Sequence, residues 1–175
     1  MSATVALLRG VNVGGKHKLP MAELVALLQG LGCGDVRTYI QSGNALFAQP
    51  KNTVTTEQIS EAIAARFGFD VPVVLRTQAE LRAVLDACPF PVEGLDPKLL
   101  HVGFLTAEPA AERISALDPA RWGPDELRVV GANAYLWYPS GSGRSKLTAP
   151  VVDRALGVTM TARNWRTVGE LFARC

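Results

Sequence analysis

Two glycine-rich segments carry side chains that are suited to binding an anion. The first, Arg9–Lys18, contains the spacing Gly-x-x-x-x-Gly-Lys, which is most of a phosphate-binding P-loop. A P-loop needs a hydroxyl after the lysine to bind Mg²⁺, but His17 stands there, and Leu19-Pro20 delays the following helix. We therefore interpret the segment as a simpler anion-binding loop, in which glycine N–H groups and Lys16 meet the ligand. A flexible solvated loop remains the alternative.

The second segment, Ser140–Lys146, places Arg144 and Lys146 just before a helix start at Thr148. Cations at a helix N-terminus suit a phosphate or carboxylate ligand. The sequence Arg163-Asn164-Trp165-Arg166 adds two further cations near the end of the chain. The alternative is a salt-bridged surface, although few acidic residues are present locally to pair with these cations.

A third polar cluster, Gln41-Ser42-Gly43-Asn44, joins two predicted strands. Ser, Gly and Asn are common turn formers, so this cluster taken alone indicates a tight turn. Its functional interpretation depends on which other segment the fold places beside it.

Signals for catalysis, metal binding or a bound cofactor are absent from the sequence. The two histidines, His17 and His101, belong to no H-E-x-x-H motif, and there is no Gly-x-Ser-x-Gly elbow. We predict no metal and no cofactor, and we leave open whether the protein is an enzyme. Three cysteines at unrelated spacings make a disulfide framework improbable and favour a reducing compartment. With no signal peptide and no apolar run of membrane-spanning length, we expect a cytoplasmic protein without membrane contact.

Charge is unevenly distributed along the chain. The net charge of +2 divides into +2 for residues 1–50, −4 for 51–138 and +4 for 139–175. The total is too small to indicate a nucleic-acid-binding protein, but the two basic ends coincide with the two glycine-rich segments.

The elements that position these segments follow a β-α-β-β-α-β order in the first half. Strands are predicted at Thr4–Arg9, Val36–Ile40, Ala45–Phe47 and Val71–Leu75, and Pro20 and Thr55 or Thr56 begin the helices. This order is that of a ferredoxin-like unit.

The same order returns after a connecting helix at Thr77–Ala87 and a turn-rich linker. Strands are predicted at Leu99–Leu105, Leu127–Val130, Ala134–Tyr138 and Val158–Thr161, with helices from Pro109, Thr148 and Asn164. We predict an α+β protein of two tandem ferredoxin-like units with antiparallel sheets. The predicted division is residues 1–76, a connecting helix and linker at 77–97, and residues 98–175.

This topology predicts which loops meet. In a ferredoxin-like sheet of strand order 4-1-3-2, the loop after strand one lies beside the strand two–three hairpin. The first unit therefore pairs Gly10–Lys18 with Gln41–Asn44. In the second unit, the loop after strand three lies at the end where strand four finishes, which pairs Ser140–Lys146 with Thr161–Arg166.

Four ordered motifs resemble the signatures of a bacterial family, domain of unknown function 1697. They are Leu8–Lys16, Tyr39–Asn44, Arg144-Ser145-Lys146-Leu147 and Thr161–Trp165, and the resemblance spans essentially the whole chain. It implies tandem ferredoxin-like folding and no assigned activity. His17 and Arg166 depart from the family pattern, which would have asparagine at both positions.

The leading hypothesis is binding of a small anionic, possibly phosphorylated, ligand. Nucleic-acid binding through the same basic surface and a ligand-free protein-interaction module remain alternatives, and the oligomeric state is left open. The predicted ligand-binding residues are Arg9, Asn12, Lys16, Gln41, Ser42, Asn44, Arg144, Lys146, Arg163 and Asn164.

Overall fold

The computed structural model describes residues 3–175. In that part of the chain the protein has a mixed α/β fold with two four-stranded antiparallel sheets and six helices. It divides into two compact units. The first unit contains the residues up to Arg82 together with Leu171–Cys175, and the second is Ala83–Glu170.

The first sheet has the strand order β2-β3-β1-β4, and the polypeptide passes through a helix after its first and third strands. The two helices cover one face of the sheet, which explains why apolar residues recur at helical spacing in each of them. The elements are β1 (Thr4–Leu8), α1 (Met21–Gly30), β2 (Gly34–Thr38), β3 (Asn44–Ala48), α2 (Thr56–Phe67) and β4 (Val73–Thr77), followed by α3 (Gln78–Asp86).

Helix α2 shows how local sequence sets these boundaries. The Thr55 hydroxyl accepts from the Gln58 N–H while the Gln58 side chain accepts from the Thr55 N–H, which forms a capping box. Gly68, at a φ of 78°, ends the helix in the left-handed conformation that glycine favours. Between these caps, Ile59 and Ile63 are fully buried beneath the first sheet.

The second sheet repeats the arrangement in the order β6-β7-β5-β8. Its core contains Leu105, Leu136, Val152, Leu156 and Met160. The elements are β5 (Leu100–Leu105), α4 (Ala111–Ser115), β6 (Glu126–Val130), β7 (Asn133–Trp137), α5 (Ala149–Leu156), β8 (Met160–Asn164) and α6 (Trp165–Arg174).

Hydrogen bonds at equivalent strand ends show that the two halves repeat. At the end of β1, the Leu8 N–H donates to the Gly43 carbonyl at 2.9 Å, and at the end of β5 the Leu105 N–H donates to the Ala132 carbonyl at 3.0 Å. In the paired strands, Arg76 lies opposite Val5 and Arg163 lies opposite Val102. The two arginines therefore occupy corresponding positions in the two sheets.

Two predicted strands begin two residues further along the chain than expected. The strand predicted at Val71–Leu75 is β4, Val73–Thr77, so Pro72 precedes it and leaves the ladder intact. The strand predicted at Val158–Thr161 is β8, Met160–Asn164, and the Asp153 carboxylate accepts from the N–H of its first residue, Met160. The shift places Arg163 within a strand.

The last five residues belong to the first unit, whereas the predicted boundary assigned all of residues 98–175 to the second. The Arg37 guanidinium donates to the Arg174 carbonyl at 2.8 Å, and the Arg174 guanidinium lies 4.5 Å from the centroid of the Tyr39 ring. These contacts of the chain terminus explain the different division.

Candidate functional site

The glycine-rich loop after β1 is a short β-hairpin. The Asn12 N–H donates to the His17 carbonyl and the Lys16 N–H to the Val13 carbonyl, each at 3.0 Å, and Val13 pairs with Lys16. Gly14 and Gly15 form the tip at φ values of 58° and 73°, as a type I′ turn requires. The Gly-Gly pair therefore closes a hairpin, and the segment does not have the form of a P-loop.

Asn12 attaches this hairpin to the neighbouring turn. Its side-chain Nδ2 donates to the Leu19 carbonyl at 2.9 Å and to the Gln41 carbonyl at 2.7 Å, while its Oδ1 accepts from the Leu19 N–H at 2.8 Å. Asn12 has a φ of 56°, a left-handed conformation that asparagine adopts more readily than most residues. The predicted pairing of Gly10–Lys18 with Gln41–Asn44 is thus present in the structure.

The Gln41–Asn44 turn is held by its own side chains. Asn44 is fully buried, and its Nδ2 donates to the Tyr39 carbonyl at 3.0 Å and to the Ser42 hydroxyl at 2.9 Å. Gly43 lies against β1, and a Cβ at its position would stand 2.6 Å from Val11 Cγ2 and 2.8 Å from the Leu8 Cβ. Ser42 and Asn44 therefore set the conformation of the turn.

We name as the loop–turn surface five exposed side chains of the hairpin, the turn and the residue just before the turn: Val13, Lys16, Lys18, Ile40 and Gln41. In the part of the chain that the structure describes, no carboxylate lies within 4.0 Å of Lys16 or Lys18. Arg9 is half-buried at the base of the hairpin, where its N–H donates to the Pro72 carbonyl. The surface therefore presents two lysines without a neighbouring acid.

The second glycine-rich segment is anchored by its serine. The Ser145 hydroxyl donates to a carboxylate oxygen of the buried Asp125 at 2.5 Å and accepts from the Leu147 N–H at 2.9 Å. The Tyr138 hydroxyl donates to the Leu147 carbonyl at 2.8 Å. Burial, and secondarily the Asp125 charge, raises the pKa of Tyr138 to about 12.

The four predicted site residues of the second unit have different surroundings. Arg144 and Lys146 are exposed on the anchored loop. The Arg163 guanidinium donates to the Ala162 carbonyl at 2.9 Å, and burial lowers its pKa to about 10. Asn164 accepts from the Thr167 N–H at 2.8 Å and caps α6.

The sequence motifs gave no sign of Asp125 as the anchor of the second loop. Asp125 precedes Ser145 by 20 residues and lies outside every motif. Its contact depends on tertiary placement, so no local pattern could have identified it.

A family model describing a protein of unknown function, DUF1697, matches residues 1–135. The chain belongs to the DUF1697 family. It is also similar in structure to a conserved bacterial protein from Streptococcus pneumoniae, with 23% sequence identity and a TM-score of 0.68. The match covers 98% of this chain and 97% of that one, and at this identity it supports the fold alone. Among curated proteins, none matches the sequence.

The histidines and cysteines of this DUF1697 chain do not form a metal site within residues 3–175. No group of three or more His, Cys, Asp or Glu side chains in that range is placed to hold an ion. The His17 ring stacks on Phe69 at 4.6 Å, and the His101 ring meets Tyr138 edge-on at 5.1 Å.

Over residues 3–175, no helix combines the length and apolar character needed to cross a bilayer.

Proposed function

We propose that the protein binds a small anionic ligand, of the phosphate or carboxylate class, at the loop–turn surface of the first unit.

We also infer that each unit is a ferredoxin-like fold. The element order β-α-β-β-α-β and the strand order in each sheet support this inference.

The observation that carries the binding proposal is the attachment of the lysine-bearing hairpin to the turn by Asn12. Residues 12, 14, 15, 17, 40 and 43 all have positive φ values, and the Asn12 amide fixes the hairpin to the Gln41 carbonyl. A loop held in one conformation before binding loses less conformational entropy when a ligand arrives.

Charge and hydrogen-bond donors on this surface favour an anion over a cation or a neutral ligand. Lys16 and Lys18 have no acidic neighbour within 4.0 Å in the described chain. The Gly14 and Gly15 N–H groups at the hairpin tip make no hydrogen bond within residues 3–175. Backbone N–H groups beside lysine ammonium groups are the donors that bind phosphate and carboxylate oxygens.

Recognition of a protein partner is a second candidate for the same surface. Val13 is 63% exposed and Ile40 is 50% exposed, and the Asn12–Gln41 hydrogen bond brings their two segments together. Ile40 has a φ of 50°, which is costly for a β-branched residue. Backbone strain of this kind is concentrated at functional positions, which supports a role for the exposed Ile40 side chain.

The experiment is an amide NMR titration of the full chain with inorganic phosphate and with citrate, at low and high salt. We expect saturable shifts at Gly14, Gly15 and Lys16 that persist at high salt. The Lys16→Gln/Lys18→Gln variant should weaken binding about tenfold or more, since hydrogen bonds to charged groups are worth about 1.5–3 kcal/mol. Lys51→Gln, which removes an exposed lysine elsewhere in the same unit, is the matched control.

Two results would overturn the anion proposal. One is the absence of saturable shifts at the hairpin tip with either anion. The other is equal weakening by Lys16→Gln/Lys18→Gln and by Lys51→Gln, which would mean that only net charge matters. Binding of an oligonucleotide with a steep salt dependence, without binding of either small anion, would instead favour nucleic acid.

A further inference from the structure

A cleft in the second unit is lined by three arginines that no sequence motif identified. It lies between α4, the segment that follows α4, and α5, and its volume is about 220 Å³. Arg113 comes from α4, Arg121 from the following segment and Arg154 from α5. A neighbouring depression of about 170 Å³ shares Arg121 and Arg154 with it.

Backbone and ring contacts hold two of these guanidinium groups in place. The Arg113 Nη1 donates to the Arg154 carbonyl at 3.4 Å, in the last turn of α5. The Arg121 guanidinium lies 5.4 Å from the centroid of the Trp122 ring, in a cation–π arrangement. Trp122 is buried, so it forms a fixed wall beneath Arg121.

The positive charge in the cleft is not neutralised by ion pairs. In residues 3–175, no carboxylate lies within 4.0 Å of the guanidinium groups of Arg113, Arg121 or Arg154. Asp118 also lines the cleft, but its Oδ1 accepts from the Ala120 N–H at 3.0 Å within its own turn. By contrast, Arg66 and Arg128 elsewhere in the protein each contact a glutamate.

We propose that this cleft binds the phosphate groups of a small phosphorylated molecule. Guanidinium groups present paired N–H donors that match phosphate oxygens, and three of them around one cleft suit a ligand carrying two or more negative charges. The volume lies below the usual range for drug-sized ligands, roughly 300–1,000 Å³, which favours a compact ligand such as a diphosphate group. This site shares no residue with the loop–turn surface and stands independently of the function proposed there.

The test is calorimetric titration of the full chain with inorganic pyrophosphate, with inorganic phosphate and sulfate as weaker probes. Arg121→Gln and Arg154→Gln should each weaken pyrophosphate binding about tenfold or more, because a hydrogen bond to a charged group is lost. Arg121→Lys retains the charge but not the paired donors, and should weaken binding less than Arg121→Gln does. Arg166→Gln, an exposed arginine of the same unit outside the cleft, should change the affinity less than twofold.

The matched variants distinguish this site from the first one. Because the loop–turn surface is itself proposed to bind phosphate, the calorimetric titrations are repeated in the Lys16→Gln/Lys18→Gln protein, where the heat that remains is assigned to the cleft. The two proposals can then fail separately. Circular dichroism and thermal melting confirm that each variant is folded before its affinity is interpreted.

Three results would overturn the proposal. The first is no heat of pyrophosphate binding to the unaltered protein at millimolar concentration. The second is equal weakening by Arg121→Gln, Arg154→Gln and Arg166→Gln, which would indicate diffuse electrostatic attraction. The third is an oligonucleotide that binds through the same arginines while pyrophosphate does not.

Discussion

The side-chain amide of Asn12 donates a hydrogen bond at 2.7 Å to the main-chain carbonyl of Gln41. The same side chain exchanges two further hydrogen bonds with the Leu19 backbone, just before α1 begins. One asparagine thus connects the hairpin, the entrance of α1 and the turn between β2 and β3. Its place in the Arg9–Lys18 motif has a structural explanation as well as the proposed functional one.

Replacing Asn12 should destabilise the first unit. Asn12→Ala removes three hydrogen bonds and places alanine at a positive φ, so we expect a loss of about 2–3 kcal/mol in the free energy of unfolding. Asn12→Gly loses the same bonds but tolerates the backbone, and should cost roughly 0.5–1 kcal/mol less. Urea denaturation measures both. Losses below about 0.5 kcal/mol for both variants would contradict this structural role.

Gly43 should be the least replaceable of the positive-φ glycines in the first unit's motifs. Gly43→Ala brings a Cβ to 2.6 Å from Val11 Cγ2 at a φ of 84°, so we expect strain and overpacking to cost about 3 kcal/mol. Gly10→Ala is the control, because Gly10 has a φ of 72° and, among residues 3–175 other than its two chain neighbours, no atom lies within 4 Å of the added methyl. It should cost only about 1 kcal/mol. Equal losses in urea denaturation would show that packing against Val11 is unimportant.

The sequence supported the order of the elements because each has a clear local signal. Thr55, one of the two predicted caps, is the N-cap of α2, and Gly14-Gly15 closes a hairpin at the position of the glycine-rich motif. Boundaries failed where tertiary contacts set them. The side chain of Asp153 accepts a hydrogen bond from the N–H of Met160, where β8 begins, and no local pattern could reveal that contact.

The internal repeat was visible as topology but not as sequence. The strand register places Asn44 opposite Leu7 in one sheet and Asn133 opposite Phe104 in the other. These pairings show that the two asparagines correspond, because an Asn-Ala dipeptide alone is too short a match to reveal a repeat. The arginine cleft was missed for a related reason. Arg113, Arg121 and Arg154 are separated along the chain, and only the packing of α4 beside α5 collects them.

Ile40 should be a position where substitution increases stability. A β-branched side chain at a φ of 50° is strained, and Ile40 is half exposed, so its burial offsets little of that strain. Ile40→Asn should raise the free energy of unfolding by about 1 kcal/mol, because asparagine tolerates this conformation. Val130→Asn replaces another exposed β-branched residue at 40% exposure, without a positive φ, and should give no increase. A destabilised Ile40→Asn protein would mean that packing of Ile40 outweighs its strain.

His101 should make the protein sensitive to mild acid. Its Nδ1 is buried and has no hydrogen-bond partner among residues 3–175, and burial lowers the pKa of the imidazole from its ordinary value of 6.5. The unfolded chain therefore binds a proton at a pH where folded His101 is still neutral. The contribution that neutral His101 makes to the free energy of unfolding is fully present above pH 6.5. It is lost as the pH falls through the folded pKa, and the free energy of unfolding then decreases by up to about 1.4 kcal/mol per pH unit.

The variant that tests this is His101→Phe, which keeps an aromatic ring beside Tyr138 but cannot titrate. Urea denaturation at about pH 7.5 and about pH 5, on either side of the ordinary histidine pKa, should show a smaller acid-induced loss in His101→Phe than in the unaltered protein. Equal acid-induced losses in the free energy of unfolding of the unaltered protein and of His101→Phe would show that other groups cause the acid sensitivity.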